Sequence, residues 1–332
     1  MRAAAAILGL LALPFGASAH HSLAEYDRSA AEEVEGEVIR VLWRNPHVRF
    51  TLQTQNEAGG VEVWDLQGVD LNSLDRRHVP HDLVQVGDTI RVTGNPSNRR
   101  VHHLLISNVL TADGTEILID PTAEPLWSAA VVGRLVASVE PSDMGGEARS
   151  IFRVWSTEVA ARGWGTRHFP FTEAAIAARD EWDPDDNFAI RCEPEGMPRI
   201  MTNPHPFEFV DGGATIELRS ELYDLTRIIH MQDVADPAKQ PSSPLGYSVG
   251  QWAGDTLIVT TSRVNWPHFD TIGTPQSEAV TYEERFWLSE DPGRLEYRLT
   301  IDDPATFTEP AYYERYWLAL GEELQRYDCQ VF

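Results

Sequence analysis

Two stretches of the chain alternate apolar and polar residues with a period of two, the spacing of half-buried β-strands. The first covers residues 33–119, with short runs at 34–42, 48–52, 61–66, 86–92 and 102–109, set apart by turn residues such as Gly59-Gly60 and Gly87-Asp88. Five such runs predict a small closed barrel of the OB type. The second covers residues 199–330, with candidate strands at 207–210, 214–221, 225–231, 246–252, 256–262, 279–288, 295–302, 312–319 and 323–329. In 295–302 the alternation is plain: Leu295, Tyr297, Leu299 and Ile301 share one face, and Glu296, Arg298, Thr300 and Asp302 the other. That series predicts a larger antiparallel β-barrel, a lipocalin-like meander. Between the two, residues 173–182 predict one short helix, with Thr172 as its N-cap and Pro184 beyond its end.

The expected fold is therefore mainly β. It divides into residues 1–19, an OB-like domain over 20–119, a connecting region over 120–191 that holds the helix, and a β-barrel over 192–332. If the second series runs up and down, its tight turns at 253–255, 289–293 and 320–322 lie at one end. The long connections 232–245, 263–278 and 303–311 then lie at the other, an open mouth suited to a small apolar ligand.

The first residues change the setting. Arg2, the apolar run from Ala3 to Phe15 and the closing Ala17-Ser18-Ala19 have the form of a cleavable secretion signal. Cleavage between Ala19 and His20 predicts a periplasmic or secreted protein. The two cysteines, Cys192 and Cys329, then predict one disulfide in an oxidising compartment. A net charge of −24 repels nucleic acid and anionic lipid, so neither is an expected partner. No apolar run reaches the ~20 residues of a membrane helix, so no membrane insertion is expected either.

Several segments resemble a family of exported bacterial proteins classed as a domain of unknown function. They are His20-His21-Ser22, Trp43-Arg44-Asn45-Pro46-His47, the stretch from Gly246 to Leu257 that reads GYSVGQWAGDTL, Gly273-Thr274-Pro275-Gln276-Ser277-Glu278, and the closing Tyr327-Asp328-Cys329. The resemblance implies export and brings no catalytic residues with it.

Three sets of residues carry candidate chemistry. A free amine and imidazole at His20, joined by His21 or His47, would chelate copper, with His102 and His103 as further partners. The loop 263–278 is too long for a plain connection and carries Asn265, Trp266 and Phe269 as candidate ligand contacts. With His230 it also offers His268, Asp270 and Glu278 for general acid–base catalysis at the mouth, and Asp302 is expected beside them. Glu284, like Asp302, is a further candidate ligand contact. It shares a face with Val280, Tyr282 and Phe286; turned inward it puts a carboxylate in the lumen near His230, and the alternative turns Arg285 and Trp287 inward instead. No GxSxG, GxGxxG, phosphate loop or CxxC occurs, which removes the standard hydrolase, nucleotide-binding and thioredoxin-like classes. A small-molecule binding protein is the leading expectation, with an acid–base enzyme and a copper-binding protein as alternatives. Oligomeric state and ligand identity are left open by the sequence.

Overall fold

A computed structural model describes residues 25–56, 58–135, 150–157, 167–183, 186–232, 234–291 and 293–331. The chain is mainly β, as its alternation predicts, and its described residues form two cores. In the first unit β1 (Glu32–Leu42), β2 (Arg49–Gln55) and β3 (Val61–Gln67) form an antiparallel meander. Helix α1 (Leu71–Arg76) follows, its first turn capped by Asp70, whose carboxylate accepts the Ser73 N–H. Strands β4 (Thr89–Pro96) and β5 (His103–Leu110) then complete the wall: β4 pairs with β1, and β5 pairs with β4 on one side and in parallel with β3 on the other. That parallel contact closes five strands into an OB-like barrel around Val38, Phe50, Leu52, Leu66, Val92 and Ile106. Two short strands, β6 (Glu116–Leu118) and β7 (Val131–Val132), extend the sheet beyond β5.

The second unit begins with the two-residue strands β8 (Val154–Trp155) and β9 (Arg167–His168), followed by α2 (Glu173–Asp180). Thr172 caps α2 through a hydrogen bond from Ala175 N, as its sequence position predicts. Strands β10 (Phe207–Asp211), β11 (Thr215–Ser220), β12 (Leu225–His230), β13 (Tyr247–Ala253), β14 (Thr256–Ser262), β15 (Thr281–Leu288), β16 (Arg294–Asp302) and β17 (Ala311–Leu318) follow. With β8 at one edge and β9 at the other they form a ten-stranded sheet curled into a half-barrel. Alternation in β16 holds throughout, with Leu295, Tyr297, Leu299 and Ile301 buried on the concave face.

The sheet departs from a pure meander at one joint, where β12 and β13 run parallel. The connection 231–246 must therefore cross from one end of the sheet to the other. Gly250 permits the close approach: a Cβ there would meet Ile229 Cγ2 at 2.7 Å. The run 323–329 forms no strand; the chain after β17 is an extended strap. One short segment links the sheet's two sides. Trp155 pairs with Phe207 on β10, while Ser156 and Leu318 on β17 exchange two backbone hydrogen bonds of 2.9 Å.

The concave face is packed rather than open along its strands. Trp155, Phe209, Phe286, Tyr297 and Trp317 fill it, and Phe188, Met197, Ile200 and Met201 cover it from the segment that precedes β10.

Candidate functional site between the two units

Between the two apolar cores lies a polar seam, which begins with the segment joining β1 to β2. Asn45 is 2% exposed and each of its polar groups is engaged. Its Oδ1 accepts the Leu71 N–H (2.8 Å), its Nδ2 donates to Asn72 Oδ1 (2.8 Å), and its carbonyl accepts Gln330 N–H from the C-terminal strap (3.0 Å). Asn72 in turn donates to Glu221 Oε1 (3.0 Å) and to the Arg326 carbonyl (3.3 Å). Glu221 belongs to the second unit and is fully buried, yet it is paired with Arg76 of α1. It also accepts Gln325 N–H (2.9 Å) and lies 3.8 Å from His205 Nδ1. Burial would raise its carboxyl, but the nearby His205 ring, the Arg76 hydrogen bonds and charge, and the Gln325 N–H outweigh that and hold it at about 2.

The mouth of this seam is a cleft of about 430 Å³. Trp43, Arg44, Leu71 and Asp75 form one wall, and Gln325, Arg326, Asp328 and Gln330 of the strap form the other. The Trp43 indole stacks on His81 (5.3 Å between centroids) and meets Phe50 edge-on (5.4 Å), which fixes the ring. Its Nε1 is buried without a hydrogen-bond acceptor. Across the cleft Arg44 donates to Gln330 Oε1 (3.4 Å), and Gln330 Nε2 to Asp328 (3.1 Å). Arg326, Asp328 and Gln330 are exposed. Two guanidiniums, two carboxylates, several carboxamides and one rigid aromatic therefore meet in a concave space, a donor set for a small ligand bearing charge.

The residues singled out in the loop 263–278 have other work. Trp266 and Phe269 are buried in the second core. Asp270 braces its own loop, accepting from Ile272 N (3.0 Å), Thr274 N (3.0 Å) and Thr274 Oγ1 (2.6 Å). His268 sits against the Phe188 and Trp266 rings, and burial lowers its pKa. Asn265, Glu278 and Asp302 are exposed, whereas the neighbouring Asp303 is buried and accepts from Ser277 and Thr306.

His230 lies on the face of Ile228, away from the concave side, stacked on Tyr247 (4.6 Å). Glu284 does point inward, at 0% exposure, but its partner is Arg227 rather than His230. Strand parity decides this: Arg227 and His230 are three residues apart and so face opposite sides of β12. Ser248 and Thr261 accept from Arg227 (2.9 and 2.7 Å), and Tyr297 donates to Glu284 (2.9 Å), so this buried pair is saturated.

Among the described residues, no three His, Cys, Asp or Glu side chains gather in a way that could hold a metal ion. His20 and His21 lie outside the described residues. His47 contacts the Gly68 carbonyl through Nδ1 (3.2 Å), and burial pushes its pKa down to about 4. His103 is buried between Tyr26 (Oη to Nε2, 2.7 Å) and Asp65 (3.1 Å from Nδ1), and His102 packs on Trp64. The predicted disulfide, Cys192–Cys329, forms with a Cα–Cα distance of 5.8 Å.

A family model, "Family of unknown function (DUF6152)", matches residues 8–104, under a third of the chain. The match takes in Trp43 to His47 and ends before Gly246 to Leu257. No curated protein and no solved structure matches the chain.

The seam sets a pH dependence. Glu221 has a folded pKa below its ordinary value, so its stabilisation is complete above about pH 4.5 and is lost as pH falls toward 2. His47 is held neutral, so the unfolded chain binds its proton first and stability falls between about pH 6.5 and 4. Urea unfolding of wild type and His47→Gln at several pH values checks this. The variant is expected to lose the upper step and keep the lower one.

Proposed function

We propose that the protein is an exported binding protein that takes a small, polar, charge-bearing organic molecule in the cleft between its two β units. The observation that carries this reading is the cleft itself, which brings the charges of Arg44, Asp75, Arg326 and Asp328 around the Trp43 ring. The volume lies within the roughly 300–1,000 Å³ of small-ligand sites, which favour domain interfaces. The charges at the mouth are mixed, Arg44 and Arg326 with Asp75 and Asp328, which suits a zwitterion or a carboxylate carrying further polar groups. Export rests on the form of residues 1–19 and fits the disulfide. The concave face of the large sheet supports an apolar ligand less well, because its inward side chains pack one another.

The test is a thermal-shift panel of amino acids, betaines and short carboxylates on the full chain, repeated on Trp43→Phe. At least one compound is expected to raise the wild-type melting temperature. The variant keeps a smaller ring and loses aromatic area lining the cleft, so its affinity is expected to fall about tenfold. If no compound shifts the wild type, or the shift is equal in the variant, this reading is wrong.

A further inference from the structure

The wall that the strap contributes to the cleft is held at its far end by the disulfide. Cys329 lies between Asp328 and Gln330, both of which line the cleft, and Asn45 forms a parallel bridge with it. Its partner Cys192 closes the 3-10 turn Phe188–Arg191, whose Phe188 is buried in the second core. The strap thus has two attachments of different kinds. Residues 325–327 are fixed by Gln325 N–H to Glu221, Tyr327 N–H to Asp224 (3.1 Å) and burial of the Tyr327 ring against His205 and Tyr223. Residues 328–331 have the Gln330–Asn45 backbone bond and the disulfide, with side chains that are mostly exposed. Neither cysteine is fully buried, and neither belongs to a strand of either core.

We propose that the cleft is completed by oxidation: the Cys192–Cys329 bond seats the last residues of the strap against Trp43-Arg44-Asn45, and its reduction opens that wall. This rests on the cleft being the ligand site. The chemistry is dithiol–disulfide exchange. One thiolate of a dithiol reductant attacks a sulfur of the pair, and the S–S bond breaks. The second thiolate then attacks the reductant's own sulfur in the mixed disulfide, that bond breaks, and the remaining protein cysteine leaves, giving two protonated cysteines and a cyclised, oxidised reductant. Two electrons and two protons pass to the protein. In the forward direction an exported dithiol oxidase of the opposite poise takes them away.

Hydrogen–deuterium exchange on the full chain, oxidised and reduced with a dithiol, tests the wall. Reduction is expected to speed exchange of the Gln330 amide, the hydrogen-bonded one in 328–331, at least about tenfold, while β5 and β16 keep their protection. The Cys192→Ser/Cys329→Ser variant is expected to behave like the reduced protein. Unchanged exchange of the Gln330 amide, or loss of protection throughout both cores, overturns the proposal. Native mass spectrometry of the same samples separates the two readings. An organic increment present when oxidised and lost on reduction supports both, whereas one that survives an opened wall keeps the ligand site and refutes its gating. If neither form carries an increment and no compound in the panel binds, the ligand reading fails, and the exchange result still decides whether the bond builds the wall.

Discussion

Glu284→Ala is expected to destabilise the second unit by about 3–5 kcal/mol, because it leaves the Arg227 charge buried without its counter-ion. Arg227 has 1% side-chain exposure, so the guanidinium has no route to water without distorting the sheet. Ser248 and Thr261 can still accept from it, but neither carries charge. Tyr297 loses its acceptor in the same change, and its hydroxyl is already held neutral by burial and by the Glu284 charge. The pair joins β12 to β15 across β13 and β14, so the loss falls on the parallel joint of the sheet. Urea unfolding measures the cost. A second variant, Arg227→Met/Glu284→Leu/Tyr297→Phe, removes both charges and the hydroxyl that bonds Glu284 and is expected to lie within about 1 kcal/mol of wild type. If the single variant also costs under about 1 kcal/mol, the pair is solvated and the packed concave face is misdescribed.

Glu221→Ala is expected to cost somewhat less, about 2–4 kcal/mol, because Arg76 keeps Glu322 at 3.3 Å, and the cost falls in a different place. It strips Arg76, Asn72 and the Gln325 N–H of one shared acceptor, and these groups come from α1 and the strap rather than from the second sheet. The cost therefore appears as weakened coupling between the units. Calorimetry is expected to resolve two transitions in the variant at temperatures where wild type gives one. Between pH 7 and 3 wild type loses on the order of 2 kcal/mol through this carboxylate, and the variant does not. A variant that melts in one step and keeps the wild-type acid response would show that Glu221 does not hold the seam together.

The strands were legible because their alternation is set by one buried face. Glu284 shares its parity with Tyr282 and Phe286, and that pointed it inside. Its partner was less legible, since the choice among residues of β12 turns on which face each occupies, and His230 drew attention by its chemistry. The parallel joint of β12 and β13 leaves no mark in either strand; it follows from the path of the connection 231–246. The six-residue α1 is too short for a helical period to show, although it supplies Asn72 and Arg76 to the seam. The loop 263–278 stands out by its length, but its aromatic residues Trp266 and Phe269 pack into the core and Asp270 serves the loop's own backbone.

The cleft was hidden for a topological reason: its walls come from residues 43–75 and 325–330, nearly the whole chain apart. The available signal was the pair of segments Trp43 to His47 and Tyr327 to Cys329. Each stood out in the sequence, and they meet at the Asn45–Cys329 bridge.

The most direct test of the cleft as a binding site compares native and denatured intact masses of the oxidised full chain, purified from its native host without refolding. The account predicts a discrete organic increment on the native mass, absent after denaturation and diminished in Trp43→Phe. Identical native and denatured masses, together with a panel in which no zwitterion or carboxylate binds, would contradict it.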